Sequence, residues 1–363
     1  MSKIKEKVLV AMSGGVDSSV AALILKEQGY DVIGVSMHLY TCNQKSSKSC
    51  CSAQDRLDAF KVCEKLSIPF YTVDYREEFK KTVVDPFVSE YLKGKTPSPC
   101  ILCNQHLKFK LLFEEMKRIG ASKIATGHYA RIIQSSSDHA RLFKGIDEKK
   151  DQSYFLFSLK SQTLSQILFP VGDMNKSDVK QMACEHGIFI EQKKESQEIC
   201  FIPDDDYAGF IENYASQDIK GHGKFVDEEG NVIGSHRGIY AYTIGQRRGL
   251  GFGVGERQYV IEIDSKNNKI VLGGKEALLK DDLVIEDINL MCSKENIISR
   301  SNITVKIRST HKPAKACLKF EKNDTIAIKF EEPQSMITPG QAAVIYDGEE
   351  LLGGGWIAEE NCF

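Results

Sequence analysis

A short apolar run, Lys7-Val-Leu-Val-Ala-Met12, stops at Ser13-Gly14-Gly15, and apolar residues at helical spacing follow from Asp17 to Gln28, with Gly29 just past them. A continuous apolar run of this length reads as a strand buried on both faces, and a glycine after the last helical residue is a usual C-cap. A strand that passes through a glycine pair into a helix at the start of a chain fits few architectures. The same texture recurs, with strands expected over Val32–Leu39, Phe70–Asp74 and Lys123–Gly127 and helices near 52–66, 77–92 and 108–119. Alternation of this kind predicts an α/β fold with a doubly wound parallel sheet, whose ligand lies beyond the carboxyl ends of the strands.

At 363 residues the chain exceeds one core, since cores stop growing near ~250–300 residues. The texture changes after about residue 205. Lys220 to Gly255 is glycine-rich with short β-like pieces such as Tyr240–Ile244, and from Gln258 period-two alternation dominates, as in Tyr259–Ile263, Ile303–Ile307 and Thr325–Phe330. The expected organisation is a catalytic domain over 1–205, a small glycine-rich domain over 206–280 and a C-terminal β-barrel over 281–363. No stretch is long and apolar enough to span a membrane, and the apolar residues before Ser13 are too few for a signal peptide, so a cytoplasmic protein is expected. A net charge of −2 makes the whole molecule no polyanion binder, and any nucleic-acid surface must be local.

Ser13-Gly-Gly-Val-Asp-Ser-Ser19 sits between the first strand and the first helix. Two glycines let backbone N–H groups close around an anion, Ser18 and Ser19 offer hydroxyls, and the helix start contributes favourable potential, so phosphate is the natural occupant. A ligand-free turn is the plain alternative. The loop lacks the lysine of a Walker A motif and the spacing of a dinucleotide fingerprint. It resembles the PP-loop of the ATP pyrophosphatases. That resemblance implies cleavage of ATP between its α and β phosphates, with Ala11, Met12, Ser13, Gly14, Gly15, Val16, Asp17 and Ser18 along the phosphates and Asp17 near Mg2+. It also implies Met37 and Gly127 beside the adenine and ribose; both have an ordinary packing role open to them.

Eleven cysteines in a chain without an export signal point away from structural disulfides and toward metal, redox or nucleophilic use. Pro97-Ser98-Pro99-Cys100-Ile-Leu-Cys103 precedes a helix, where thiols have lowered pKa, and Cys200 lies in the polar-looking stretch Glu195 to Asp204. Metal ligand, redox dithiol and accidental pair all remain open. Together with Thr126-Gly-His-Tyr-Ala-Arg131, Lys150-Asp-Gln-Ser-Tyr-Phe155, Ser235-His-Arg-Gly238 and Tyr242 to Gly249, these segments resemble the tRNA-specific 2-thiouridylases over nearly the whole chain. The resemblance implies ATP-dependent thiolation of C2 of the wobble uridine, position 34, in lysine, glutamate and glutamine tRNAs, with a sulfur donor protein or sulfide as partner. In one scheme Cys200 carries a persulfide and Cys103 releases its sulfur by forming a Cys103–Cys200 disulfide. The better-known branch carries an aspartate where this chain has Cys100, so that acid–base role does not transfer. Cys100, Cys103 and Cys200 are one short of the four thiolates of a [4Fe–4S] cluster, and a cluster with one open iron that binds hydrosulfide is the other scheme. Zinc completed by His106 is a third, weaker reading. Cys42, Cys50, Cys51 and Cys63 form a looser group, read as relay, metal site or packing.

Arg300 to Lys319 holds six Lys or Arg and no acid, which suits either phosphate tracking or a protected strand edge. Within it Arg308 and Ser309 are candidate RNA contacts, as are Lys150, Asp151 and Gln152 by resemblance, while Pro97, Ser98 and Pro99 by resemblance face the flipped base. Arg247 and Arg248 precede a glycine-rich loop. Another PP-loop ligase or thiolase, and a non-catalytic RNA-binding or iron–sulfur protein, are the competing functions.

Overall fold

The computed structural model describes residues 5–41, 53–134, 140–188, 199–216, 219, 221–251 and 257–359. A five-stranded parallel sheet is built around β1 (Lys7–Ala11). On one side of it lie β2 (Asp31–His38) and β3 (Phe70–Asp74); on the other lie β4 (Lys123–Ala125) and Ile167–Leu168. Val8, Leu9 and Val10 are fully buried because the sheet is covered on both faces. Val8 and Val10 join a core with α1 (Val16–Glu27) and α2 (Ala53–Lys65), whereas Leu9 joins Phe109, Leu112 and Met116 on the opposite face. The chain winds outward from β1 to β3 and then returns to β4, so the winding direction reverses between β1 and β4. A crevice opens there above the strand ends, the place where such sheets take ligands.

The helix expected to begin near Lys108 begins at Pro99 and continues to Arg118, with one wide π-type stretch over Cys103–Lys108. Proline suits a first helical position, where its missing N–H is one that the helix leaves unpaired anyway. The C-x-x-C therefore lies inside the helix rather than before it. Its far end is fastened to the sheet edge through Glu115. Tyr71 of β3 and Tyr75 donate to the Glu115 carboxylate at 3.0 and 3.1 Å, and the Arg118 guanidinium donates twice, at 2.8 and 2.6 Å.

The small middle sheet contains Gly223–Val226 and Val232–His236 as one hairpin and Tyr259–Asp264 and Lys269–Gly273 as another, joined by a parallel pairing. Alternation beginning at Tyr259 thus belongs to this sheet, not to the barrel. Tyr240–Ile244 is not a strand: a 3-10 turn over Ile239–Ala241 sits between Gly238 (φ +150°) and Gly245 (φ +86°). Tyr240, Ala241 and Tyr242 are all buried, so the alternation a half-exposed strand needs is absent. The C-terminal module is a closed barrel of six strands, in which Leu279–Leu290 pairs with both Ile326–Ser335 and Glu350–Ile357. A hairpin, Ala130–Gln134 with Ala140–Lys144, leaves the parallel sheet and joins the barrel where Phe143 pairs with Glu350. No helix among the described residues is long and apolar enough to cross a membrane.

Burial works to raise the Glu115 pKa, but the hydrogen bonds from Arg118, Tyr71 and Tyr75 outweigh it and the net shift is downward. A depressed carboxylate stabilises the fold above its unfolded pKa and loses that contribution as pH falls through the folded value. Glu115→Gln is expected to cost about 2 kcal/mol at pH 7, read from urea midpoints. The gap from wild type should close as pH drops below about 4; a gap that persists there contradicts the ionic account.

Candidate functional site

The crevice between β1 and β4 is shaped by two glycines. A Cβ on Gly127 would lie 2.6 Å from the Ser18 nitrogen and 2.7 Å from the Asp17 carbonyl carbon, so only glycine lets the end of β4 approach the start of α1 this closely. Gly14 has φ +76°, and a Cβ there would meet the Asp55 carbonyl oxygen at 2.2 Å. Gly15, at φ −95°, is under no such constraint. The two serine hydroxyls turn inward instead of toward a ligand: Ser18 Oγ and Ser19 Oγ both donate to the Gly15 carbonyl, at 3.0 and 2.9 Å. Ser18 Oγ also accepts from the Ser13 N–H at 3.2 Å, and Ser19 is fully buried. The hydroxyls therefore hold the loop's shape, which leaves the N–H groups of the first helical turn as its anion donors. Met12 is buried and donates its N–H to Val35. Ala11 and Met37 are partly covered at the ends of their strands, and Val16 opens the helix.

Asp17 is held from two sides. Lys176 Nζ contacts both carboxylate oxygens at 2.7 Å, and the Tyr129 hydroxyl donates to Oδ1 at 2.7 Å. The ammonium also lies 5.7 Å from the Tyr129 ring centre. Lys176 opens the helix Lys176–Glu185, with its own N–H bound to Asp147 Oδ2 at 3.0 Å. A lysine at a helix start opposes the helix dipole, and that anomaly was the sequence signal that could have found it. Between Gly127 and Tyr129, the His128 ring lies against Phe109 and Phe169, its Nδ1 2.6 Å from the Thr126 hydroxyl. Burial, with help from the nearby Lys108 charge, pulls its pKa down to about 3, so it stays neutral.

Two of the three thiols belong to one apolar cluster. Cys103 is buried within it beside Phe87, Leu107 and Phe201, and Cys200 packs against it. The stretch around Cys200 is thus anchored by apolar contacts, contrary to the polar loop expected. Leu39 and Tyr40, just past the carboxyl end of β2, belong to the same cluster. Cysteine helix and phosphate loop consequently stand on the same edge of the sheet. Cys103 is buried, Cys200 is half-buried and Cys100 is exposed. Among the described residues no group of three or more His, Cys, Asp or Glu side chains is gathered so as to hold a metal ion. Nothing among the described residues therefore supports a [4Fe–4S] site on Cys100, Cys103 and Cys200 or a zinc site completed by His106, whose side chain is exposed. Cys63 is a core residue whose thiol burial pushes up to about 12, and its Sγ packs under Gly34. Cys42, Cys50 and Cys51 lie outside the described residues.

The candidate RNA contacts are dispersed. Pro97, Ser98 and Pro99 are buried, and the barrel residue Gln341 donates to the carbonyls of Thr96 and Pro97 at 2.8 and 3.3 Å. Lys150, Asp151 and Gln152 are half-buried. Asp151 accepts from Gly145 N–H and from the N–H and hydroxyl of Ser153, and Gln152 pairs with Tyr129. The one-sign stretch is not one face: Arg300 pairs with Asp347 and Glu350, Lys319 pairs with Glu321, and Lys306 turns to the Tyr154 ring. Arg308 is half-buried with its guanidinium against Met336 Sδ, and Ser309 lies beside it. Arg247 and Arg248 are exposed.

Residues 6–204 match the family described as the tRNA methyl transferase HUP domain, 208–274 the tRNA methyl transferase PRC-barrel domain and 280–357 the aminomethyltransferase beta-barrel domain. Curated relatives carry the name tRNA-specific 2-thiouridylase MnmA. That of Geotalea uraniireducens is 45% identical, over 97% of this chain and 95% of its own. That of Acidithiobacillus ferrooxidans is 45% identical over 97% and 98%, and that of Clostridioides difficile 45% over 98% of each.

The glycine geometry separates three neighbouring substitutions. Gly14→Ala and Gly127→Ala should each lower the apparent melting temperature by at least ~5 °C, whereas Gly15→Ala should stay within ~2 °C of wild type. Equal tolerance of all three by thermal melting contradicts the close packing described.

Proposed function

The chain belongs to the tRNA-specific 2-thiouridylase family, and on that premise we propose that it replaces the C2 oxygen of the wobble uridine, position 34, by sulfur at the expense of ATP. The observation that supports this best is the shared edge: the phosphate loop leaves the carboxyl end of β1, and Cys103 and Cys200 belong to the apolar cluster that includes Leu39 and Tyr40, just past the carboxyl end of the adjacent β2. The α/β fold, the six-stranded barrel and the family all agree with a tRNA sulfurtransferase.

ATP lies with its phosphates along Ala11–Ser18 and its nucleoside toward Met37 and Gly127. Magnesium in such sites is held by one or two carboxylates plus the substrate's own phosphates, and Asp17 is the carboxylate at hand. The uridine O2 attacks the α-phosphorus, pyrophosphate leaves, and C2 carries AMP as a leaving group. Lys176, already beside Asp17, supplies positive charge where negative charge accumulates on the phosphates. An external persulfide donor passes its outer sulfur to Cys200, becoming a thiol itself. The terminal sulfur of the Cys200 persulfide then forms a bond to C2 and AMP departs. The Cys103 thiolate attacks Cys200 Sγ, breaking the sulfur–sulfur bond; the product keeps C2=S, and a Cys103–Cys200 disulfide remains until a two-electron thiol reductant resets it. The resemblance extends the substrates to the lysine, glutamate and glutamine tRNAs.

Unmodified tRNA, ATP and a persulfide donor should yield AMP, pyrophosphate and 2-thiouridine, measured by nucleoside mass spectrometry. Cys200→Ser and Cys103→Ser should bring thiolation to background while pyrophosphate release continues. Lys176→Met should slow that release roughly a hundredfold. Thiolation that survives Cys200→Ser defeats the persulfide route, and a lack of tRNA-dependent pyrophosphate release defeats the activity itself.

A further inference from the structure

We propose that Tyr129 and Gln152 are positioning residues that tie the 147–153 loop to the carboxylate of the phosphate loop, so that the segment meeting RNA also sets the geometry at which ATP is held. The inference rests on the reading given above, in which Lys150 to Gln152 meet tRNA and Asp17 faces the nucleotide.

Gln152 grips Tyr129 twice. Its side-chain Oε1 accepts the Tyr129 N–H at 3.0 Å, and its own N–H donates to the Tyr129 carbonyl at 2.9 Å. Tyr129 is 3% exposed, and the Gly145 backbone runs so close that a Cβ there would meet the Tyr129 carbonyl oxygen at 2.8 Å. Held in this way, the side chain delivers its hydroxyl to Asp17 Oδ1 at 2.7 Å. The same loop reaches the other partner of Asp17. Asp147 accepts the Lys176 N–H at 3.0 Å, and Lys176 Nζ meets both Asp17 oxygens. At the opposite end the loop is fixed to the barrel: the Asp151 carboxylate binds Ser153, whose hydroxyl is 3.1 Å from the buried Tyr346 hydroxyl. Both groups that orient Asp17 are therefore seated on one loop, and that loop is anchored in the module expected to carry RNA. The aspartate touches the nucleotide; Tyr129 and Gln152 act through it.

A double-mutant cycle tests this, using full-length Tyr129→Phe, Gln152→Ala, the pair together, and Gln152→Glu, which keeps the acceptor. The readouts are magnesium-dependent affinity for a non-hydrolysable ATP analogue without RNA, kcat and KM for tRNA-dependent pyrophosphate release, tRNA affinity without ATP, and melting temperature. Tyr129→Phe and Gln152→Ala are each expected to lower kcat about tenfold, as for a lost hydrogen bond to a charged group, and to weaken the analogue. Because one residue acts through the other, the pair should fall within about twofold of Tyr129→Phe alone, and Gln152→Glu should recover to within about threefold of wild type. Losses that multiply in the pair overturn the proposal. So does a Gln152→Ala defect confined to tRNA affinity or to melting temperature. If the wild-type chain releases no pyrophosphate, the functional reading fails, and the same cycle measured in analogue affinity still decides this inference.

Discussion

The approach of Gly127 to the first turn of α1 is the constraint on which the site depends. Two backbones meet there at a separation that excludes any side chain, so the ends of β1 and β4 are locked into one crevice. Tyr129, two residues beyond, then has no choice but to lie over the helix start, where its hydroxyl finds Asp17. Lys176 arrives from a helix more than a hundred residues later in sequence and completes the pair. Its side chain is only 12% exposed against 31% for Asp17, so the attraction is less screened than at an open surface. Charges already fixed in place need not reorganise when phosphate enters, and this preorganisation is the larger part of what such sites contribute.

The parallel sheet was legible because its strands are buried on both faces: Lys7–Met12 can be read as a strand from composition alone, and the glycine pair marks its end. The phosphate loop was legible for the same reason, since backbone donors at a helix start need glycine and little else. Side-chain roles within it were not. Ser18 and Ser19 look like donors in sequence, yet both bond to Gly15, because a hydroxyl one turn into a helix finds a carbonyl nearer than any ligand. Lys176 and Asp147 carried no motif at all; their importance arises from Asp17, 159 positions from Lys176 in the chain. Tyr240–Ile244 shows the reverse failure, in which β-prone residues are drawn inward by packing between two glycine turns.

The basic stretch from Arg300 to Lys319 shows why a run of one sign in sequence need not make a face of one sign in space. Strand geometry sends successive residues to opposite sides, and acids then claim two of the six bases: Asp347 and Glu350, from later strands, both pair with Arg300, and Glu321, two residues on, pairs with Lys319. Lys306 goes the other way, toward Tyr154 in the catalytic domain, where burial pulls its pKa down and the nearby Asp151 opposes that shift. Lys312 and Lys315 remain exposed. Any electrostatic attraction of this module for a polyanion therefore has fewer charges to draw on than the count of six suggests.

The barrel is joined to the catalytic domain at the places where geometry matters to both halves of the chemistry. Gln341 holds the carbonyls that lead into the cysteine helix. Lys144 and Arg131, on the hairpin that follows Tyr129, bond to Glu349, and the Tyr154 hydroxyl donates to Ala342. One of these connections precedes the thiols in sequence, and the others follow the residue that orients Asp17. A polynucleotide bound to a barrel on a flexible tether would sample many distances to the thiol and to the phosphate, and two reactions on the same atom would each lose by it. Fastened at both points, the barrel keeps a fixed relation to the helix that carries the cysteines and to the loop that carries Asp17. On the proposed function, such a fixed relation lets adenylation and sulfur transfer act on one base without a large movement of the RNA between them.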